Sequence, residues 1–256
     1  MDLGLKDKVA LVTGAGSQVG FGKGICLILA AEGCDIIASD IDFEGAKKTA
    51  AEVETLGRKA LAVKCDVTKK AEAEDMVKQA LGRFGKIDIL VNNAGAILGR
   101  GPFVQQDEAY WDQELALNLK GCMLVTQAVL PAMIERRYGK VIDVSSDSAK
   151  QVSPLLGVSM YNIAKAGVYK FTRDLAATVI GHGIHVNSVS PGWSMETNFA
   201  KVPDKKAAEE HFTKETPLGR GTTPRDIGVA VAFFASDLTS DIVGQILSIS
   251  GGSTFQ

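Results

Sequence analysis

Short β-branched apolar runs alternate with longer segments of helical periodicity along the whole chain, and few folds accommodate that order. The runs Val9–Thr13, Asp35–Ser39, Lys59–Lys64, Ile87–Val91, Lys140–Ser145, His185–Ser190 and Gln245–Ser250 carry few polar residues. Between them, apolar residues recur at three- and four-residue spacing through Ala46–Leu56, Glu72–Phe84, Asp112–Glu135, Asn162–Ile180 and Arg225–Ser236. That spacing gathers side chains on one helical face, whereas near-continuous apolar runs suit strands covered on both sides. Strands of that kind, joined by helices, pair in parallel. The expected fold is α/β: a single-domain, doubly wound Rossmann-type architecture with a seven-stranded, mostly parallel sheet. No linker, repeat or low-complexity segment divides the 256 residues, a length suited to one domain with a large core.

Composition narrows the partners. A net charge of −2 creates no global field toward nucleic acid or an anionic membrane. No run of about 18 uncharged apolar residues occurs. The opening MDLGLKDKVALVTG lacks a basic segment followed by a long apolar stretch and a cleavage site. Cys26, Cys34, Cys65 and Cys122 show no CxxC spacing, and only three histidines are present, so no metal site is expected. The cysteines read as buried, reduced thiols, in keeping with a cytoplasmic location.

The first run passes into Thr13-Gly14-Ala15-Gly16-Ser17-Gln18-Val19-Gly20-Phe21-Gly22, then a helical segment from Lys23. Glycines at a strand–helix turn let backbone N–H groups approach a pyrophosphate, which the helix N-terminus attracts. Asp40 closes the second run, where a carboxylate can accept from both hydroxyls of an adenosine ribose and would repel a 2′-phosphate. Ile41, not arginine, follows it, so NAD is expected over NADP, although Lys23 leaves NADP as a minority reading. In Lys64-Cys65-Asp66-Val67-Thr68, Asp66 either accepts from the adenine amino group or caps the next helix.

Tyr161-Asn162-Ile163-Ala164-Lys165 opens a long helical segment, and its i, i+4 spacing sets Tyr161 and Lys165 on one face. An ammonium beside a phenol favours the phenolate, making the tyrosine a usable acid or base near neutrality. Ser145-Ser146 follow the fifth run, where a serine hydroxyl can polarise a substrate carbonyl. Asn118, between Leu117 and Leu119, is a polar residue in an apolar setting; it bonds a nearby backbone carbonyl, holds a water in a proton relay to Lys165, or both. Asn92-Asn93-Ala94-Gly95 and Pro191-Gly192 end two further runs.

Together these features resemble the short-chain dehydrogenase/reductase family over essentially the whole chain, from Lys8 to Gly252. The resemblance implies a catalytic tetrad of Asn118, Ser146, Tyr161 and Lys165, with Lys165 also binding the nicotinamide ribose. It implies cofactor contacts from Gly14, Ser17, Gln18, Gly20, Phe21 and Gly22, from Asp40 and Ile41, and from Cys65, Asp66 and Val67. Asn93, Ala94, Gly95, Tyr161, Pro191, Gly192, Ser194 and Thr197 complete that set. A homotetramer or homodimer through two long central helices, about 107–134 and 160–181, is implied as well.

The chain departs from the family pattern in three places. Five residues instead of three separate Gly14 from Gly20, although a register through Gly14, Gln18 and Gly20 is the alternative. Tyr161 lies fifteen positions after Ser146; the usual offset of thirteen would select Ser148, but strand register favours Ser146. The threonine after Pro191-Gly192 is displaced to Thr197, a role Ser194 could share.

The expected reaction interconverts a secondary alcohol and a ketone, the substrate being an alcohol, a hydroxy acid or a 3-hydroxyacyl thioester. An enoyl reductase is the rival enzyme, and a non-catalytic partner subunit the rival of another class. Residues 193–216, long and charged, read as a substrate lid, with Trp193, Met195, Phe199 and Phe212 offering apolar contact. Arg100, Lys150 and Gln151 are expected near the pocket, able to meet an anionic handle.

Overall fold

The computed structural model describes residues 2–99, 101–150, 159–197 and 205–254. Seven strands form one sheet: β1 (Val9–Thr13), β2 (Asp35–Asp40), β3 (Ala60–Lys64), β4 (Ile89–Asn92), β5 (Gly139–Val144), β6 (Ile184–Pro191) and β7 (Ile246–Ile249). Their order is β3-β2-β1-β4-β5-β6-β7 and every neighbouring pair is parallel. The expected strands fall within two residues of these bounds. Strand order reverses between β1 and β4, so a crevice opens past their carboxyl ends, where ligands of open α/β sheets bind.

Helices cover both faces: α1 (Phe21–Ala31), α2 (Phe43–Thr55), α3 (Lys70–Phe84), α4 (Glu108–Leu115), α5 (Gly121–Arg136), α6 (Met160–Val179), α7 (Lys205–Glu215) and α8 (Pro224–Ala235). Alternation along β1 shows how the two cores arise. Ala10 and Val12 join Ile25 and Leu29 of α1 and Val231 and Phe234 of α8 on one side. Leu11 joins Met76 of α3 and Val125, Val129 and Met133 of α5 on the other. Helices α1 and α8 approach closely because Gly24 carries no side chain; a Cβ there would lie 2.5 Å from that of Pro224.

One π-helical turn, Ala116–Lys120, joins α4 to α5, making a continuous helix of 29 residues with a mean hydropathy of 1.4 over its most apolar 18. Length and apolarity alone would suit a membrane span. Here Val125, Val129 and Met133 bury one side of it against the sheet. Its other side shares a shallow apolar groove with α6, lined by Met123, Leu124, Leu130, Ile134, Phe171 and Leu175.

Residues 193–216 differ from a plain irregular lid, because their described part includes α7. Its root is pinned: the Trp193 and Phe212 rings stack at 5.3 Å, and Trp193 Nε1 donates to Thr216 Oγ1. Two of the expected apolar lid contacts are thus partnered with each other. Phe199, Gln151 and Arg100, together with the middle of the lid, lie outside the described residues.

Candidate active site

Four elements meet around Lys165. It lies one turn beyond Tyr161 on α6, with Nζ 5.7 Å from that ring's centroid. Both side chains are buried. Lys165 Nζ donates to the Val144 carbonyl at 2.8 Å, which ties α6 to the end of β5 two residues before Ser146. Burial of the ammonium lowers its pKa to about 8, while Cys122, then Asp143, then Glu114 oppose that shift. At neutral pH the lysine is therefore mostly protonated, the form that favours a neighbouring phenolate.

Ser146 stands at the strand end as expected, capping the short 3₁₀ turn Asp147–Ala149. Its Oγ lies 2.9 Å from Ser148 Oγ, so the serine chosen by strand register and the one chosen by loop length share a hydrogen bond. The Ser146 carbonyl accepts from Tyr169 OH at 2.9 Å. Tyr169 bonds Ser190 in turn, and Ser190 donates to the buried Asp147. This network fixes the backbone that carries Ser146. Lys150 turns inward toward the same group: its Nζ lies 3.9 Å from Asp147 Oδ1 and over the Tyr169 ring. At that distance it makes no hydrogen bond to Asp147, and Lys150 Nζ has no hydrogen-bond partner among the described residues.

Asn118 is buried inside the π-helical turn, a widened turn of a kind frequent at functional sites. Its Oδ1 accepts from Ala96 N–H at 3.1 Å, and its Nδ2 donates to the Ala96 carbonyl at 2.9 Å. The same Nδ2 reaches Glu114, with Oε2 at 2.7 Å and the backbone carbonyl at 3.2 Å. The expectation that this amide bonds nearby backbone is met. Its Nδ2 is thus shared between Ala96 and Glu114, whereas Oδ1 accepts one bond and keeps a second lone pair. Gly95 packs between Asn118 and Lys165: a Cβ on it would lie 2.7 Å from Asn118 Oδ1 and 3.4 Å from Lys165 Nζ.

Sequence reasoning missed two buried carboxylates in this wall. Glu114 accepts from Leu98 N–H at 2.7 Å as well as from Asn118. Asp143 on β5 accepts from Asn92 at 2.9 Å, Thr172 at 2.7 Å and the Cys122 thiol at 3.4 Å. Burial raises the pKa of both. A signal for Asp143 existed, since an acid within an otherwise apolar strand demands partners.

The glycine-rich turn lies at the other end of the crevice. Gly14 has φ +67° and passes 2.8 Å, measured from a notional Cβ, from Ala94 Cα. A Cβ on Gly22 would sit 2.1 Å from the Gly14 carbonyl oxygen, so only glycine permits this approach. Gly20 precedes α1, which starts at Phe21. Gly16, which the sequence reading left unused, donates its N–H to Asp40 Oδ2 at 2.7 Å. That bond holds the Asp40 carboxylate beside the turn, while Ile41 is exposed.

Several expected cofactor residues have partners within the protein. Ser17 Oγ bonds the Val19 carbonyl, and Gln18 Nε2 donates to the Gly16 and Gly45 carbonyls at 2.9 and 3.0 Å. Lys23 Nζ pairs with Glu52 at 2.6 Å. Asp66 Oδ1 accepts from Thr68 N–H and Oγ1 at 3.0 and 2.7 Å, a local turn; the N-cap of α3 is Lys69, so Asp66 does not cap that helix, and Cys65 and Val67 are buried beside it. Asn93 spends its amide on the Thr13 and Gly14 carbonyls at 2.9 and 3.0 Å, and Thr13 Oγ1 receives the Asn93 and Ala94 N–H groups. Gly192 N–H bonds the Ile249 carbonyl at 3.0 Å, Ser194 Oγ accepts from Glu196 N–H at 3.3 Å, and Thr197 is the last described residue before the gap at 198–204.

A dinucleotide fits this arrangement. The side-chain-free cradle at Gly14 and Gly22 adjoins the α1 N-terminus, and Asp40, at the end of β2, is held beside the same turn by the Gly16 N–H. Among the described residues no cluster of His, Cys, Asp and Glu could hold a metal ion.

Comparison with known proteins agrees with this architecture. A family model described as enoyl-(acyl carrier protein) reductase matches residues 14–254. The 3-oxoacyl-[acyl-carrier-protein] reductase FabG of Thermotoga maritima is 38% identical over 97% of this chain and 98% of its own. A short-chain type dehydrogenase/reductase from Mycobacterium marinum superposes with a TM-score of 0.92 at 30% identity, covering 100% of this chain and 98% of that one. A 7α-hydroxysteroid dehydrogenase complexed with NADH and 7-oxo glycochenodeoxycholic acid superposes at 0.91 and 32% identity, over 98% and 96%.

Proposed function

The chain belongs to the short-chain dehydrogenase/reductase family, and we propose that it interconverts a secondary alcohol and a ketone with NAD as the preferred cofactor. The observation that carries this reading is the buried Tyr161–Lys165 pair, whose lysine is bonded to the strand end that presents Ser146. A bound nicotinamide would supply the hydride acceptor for oxidation and the hydride donor for reduction.

In oxidation, Ser146 Oγ holds the substrate oxygen and Tyr161 removes its proton. Lys165, mostly cationic at neutral pH, stabilises the phenolate that does so. In reduction the same groups run backwards, and Tyr161 donates to the forming alkoxide. Asn118 keeps the loop after β4 against Lys165. Asp40 accepts from the adenosine ribose hydroxyls, and its charge disfavours a 2′-phosphate.

The relatives that act on a 3-oxoacyl thioester and a 7-oxo steroid support carbonyl chemistry. The family model's description keeps an enoyl reductase in view, but the four-residue spacing of Tyr161 and Lys165 and the presence of Ser146 favour the carbonyl. The apolar groove between α5 and α6 supports pairing of two copies through these helices, which sedimentation would read as a dimer or tetramer.

A panel tests the reaction. Secondary alcohols, hydroxy acids and 3-hydroxyacyl thioesters are offered with NAD⁺ or NADP⁺, alongside crotonyl-CoA with NADH, and absorbance at 340 nm is followed. NAD⁺ reduction by an alcohol is the expected result. Turnover of crotonyl-CoA alone, or a clear NADP⁺ preference, would overturn the assignment.

A further inference from the structure

Glu114 is a buried carboxylate that the proposed reaction does not use, yet it is bonded to a residue that the reaction does. It lies one helical turn before Asn118, and Oε2 accepts from the Asn118 amide at 2.7 Å. Oε1 accepts from Leu98 N–H at 2.7 Å. Both oxygens accept, and these hydrogen bonds favour the anion against the burial that raises the carboxyl's pKa. Asn118 Oδ1 in turn borders Gly95, which separates it from Lys165 Nζ by a single glycine's width.

The result is a short path from carboxylate to ammonium through one amide side chain, in a region shut from water. The same bonds pin residues 96–98 of the loop after β4, since Ala96 is held by Asn118 and Leu98 by Glu114.

We propose that Glu114 is a positioning residue of the proton-transfer site, fixing Asn118 and the loop after β4 and presenting a negative charge that keeps Lys165 in its cationic form. This rests on the Tyr161–Lys165 reading above. The groups facing Lys165 are Tyr161 on its own helix, Asp143 on β5, Cys122 on α5 and Glu114 on α4. Cys122 is a neutral thiol at neutral pH, because burial and Asp143 raise its pKa well above the usual range. Asp143 is enclosed by Asn92, Thr172 and Cys122. Glu114 also accepts from Asn118.

Charge near a buried lysine raises its affinity for the proton, so removing that charge lowers it. Lysine side-chain ¹⁵N resonances, with Lys165→Met supplying the assignment, report the Lys165 midpoint without substrate. In the parent it should fall near 8, below the ordinary lysine value of about 10.4. Glu114→Gln should lower it by about half a pH unit or more, whereas Glu114→Asp should leave it near the parent value.

An unmoved midpoint in Glu114→Gln overturns the proposal. If Glu114→Gln does not fold, ¹³C carboxyl resonances of glutamate-labelled parent protein take its place. A second inflection of Glu114 at the Lys165 midpoint, lost in Lys165→Met, supports the coupling, and its absence overturns it. Full turnover by Tyr161→Phe would defeat the proton-transfer reading instead, and that outcome is independent of the Lys165 midpoint.

Discussion

Along β1 and β2 the crevice is made of backbone; along β5 and α6 it is made of buried ionisable side chains. The first region works by having no atoms in the way, as at Gly22, where a Cβ would meet the Gly14 carbonyl at 2.1 Å. The polar side chains around it, Gln18, Asn93 and Lys23, are spent on the protein itself. The second region works by holding charge out of water, with Lys165, Glu114 and Asp143 all shifted by burial. The contrast implies that the two halves fail differently: the cradle through added volume, the proton-transfer wall through lost charge.

The largest effect is expected from volume in the cradle. Gly22→Ala forces the turn apart, costing about 3 kcal/mol of stability in a urea melt, and NADH binding by fluorescence should weaken about 100-fold or more. Binding within threefold of the parent would mean that the cradle has slack. Changing charge in the same half should leave the fold intact and alter choice. Asp40→Ser should move the ratio of NAD⁺ to NADP⁺ turnover by about 10- to 100-fold toward NADP⁺.

In the other half, pH replaces volume as the lever. Reduction needs the Tyr161 proton and the Lys165 cation, and both are lost as the pH rises. Ketone reduction should therefore hold through neutrality and fall above pH about 8, where Lys165 titrates. A rate that stays flat to pH 10 would remove Lys165 from the mechanism. The smallest effect is expected at the cysteines. Burial raises the Cys34 thiol to about 12 and Cys65 to about 11, so iodoacetamide at pH 7.5 should leave about nine-tenths of the activity.

The same contrast explains what the sequence disclosed. Strands announced themselves because both faces are apolar, and the cradle because glycines recur at a strand–helix junction. Asn118 stood out as a polar residue between leucines. Glu114 did not, since a glutamate in a helix reads as solvated; its partner Leu98 comes from a loop 16 residues away. Lys150 read as a pocket cation for the same reason, whereas Asp147 draws it inward. Helix α7 was hidden by its charge, six of its eleven residues being Lys or Glu, which left no apolar stripe. Periodicity reports apolar burial; polar burial depends on partners that the linear pattern does not bring together.

In the proposed reaction Tyr161 exchanges the proton with the substrate oxygen, Lys165 supports its charge, and the glycine-rich half of the crevice holds the cofactor. Tyr161→Phe separates proton transfer from cofactor binding, with NADH binding by fluorescence and turnover by absorbance measured on one preparation. The account predicts a dissociation constant within about threefold of the parent and turnover reduced about 10³-fold or more. Turnover equal to the parent, with binding intact, would contradict it.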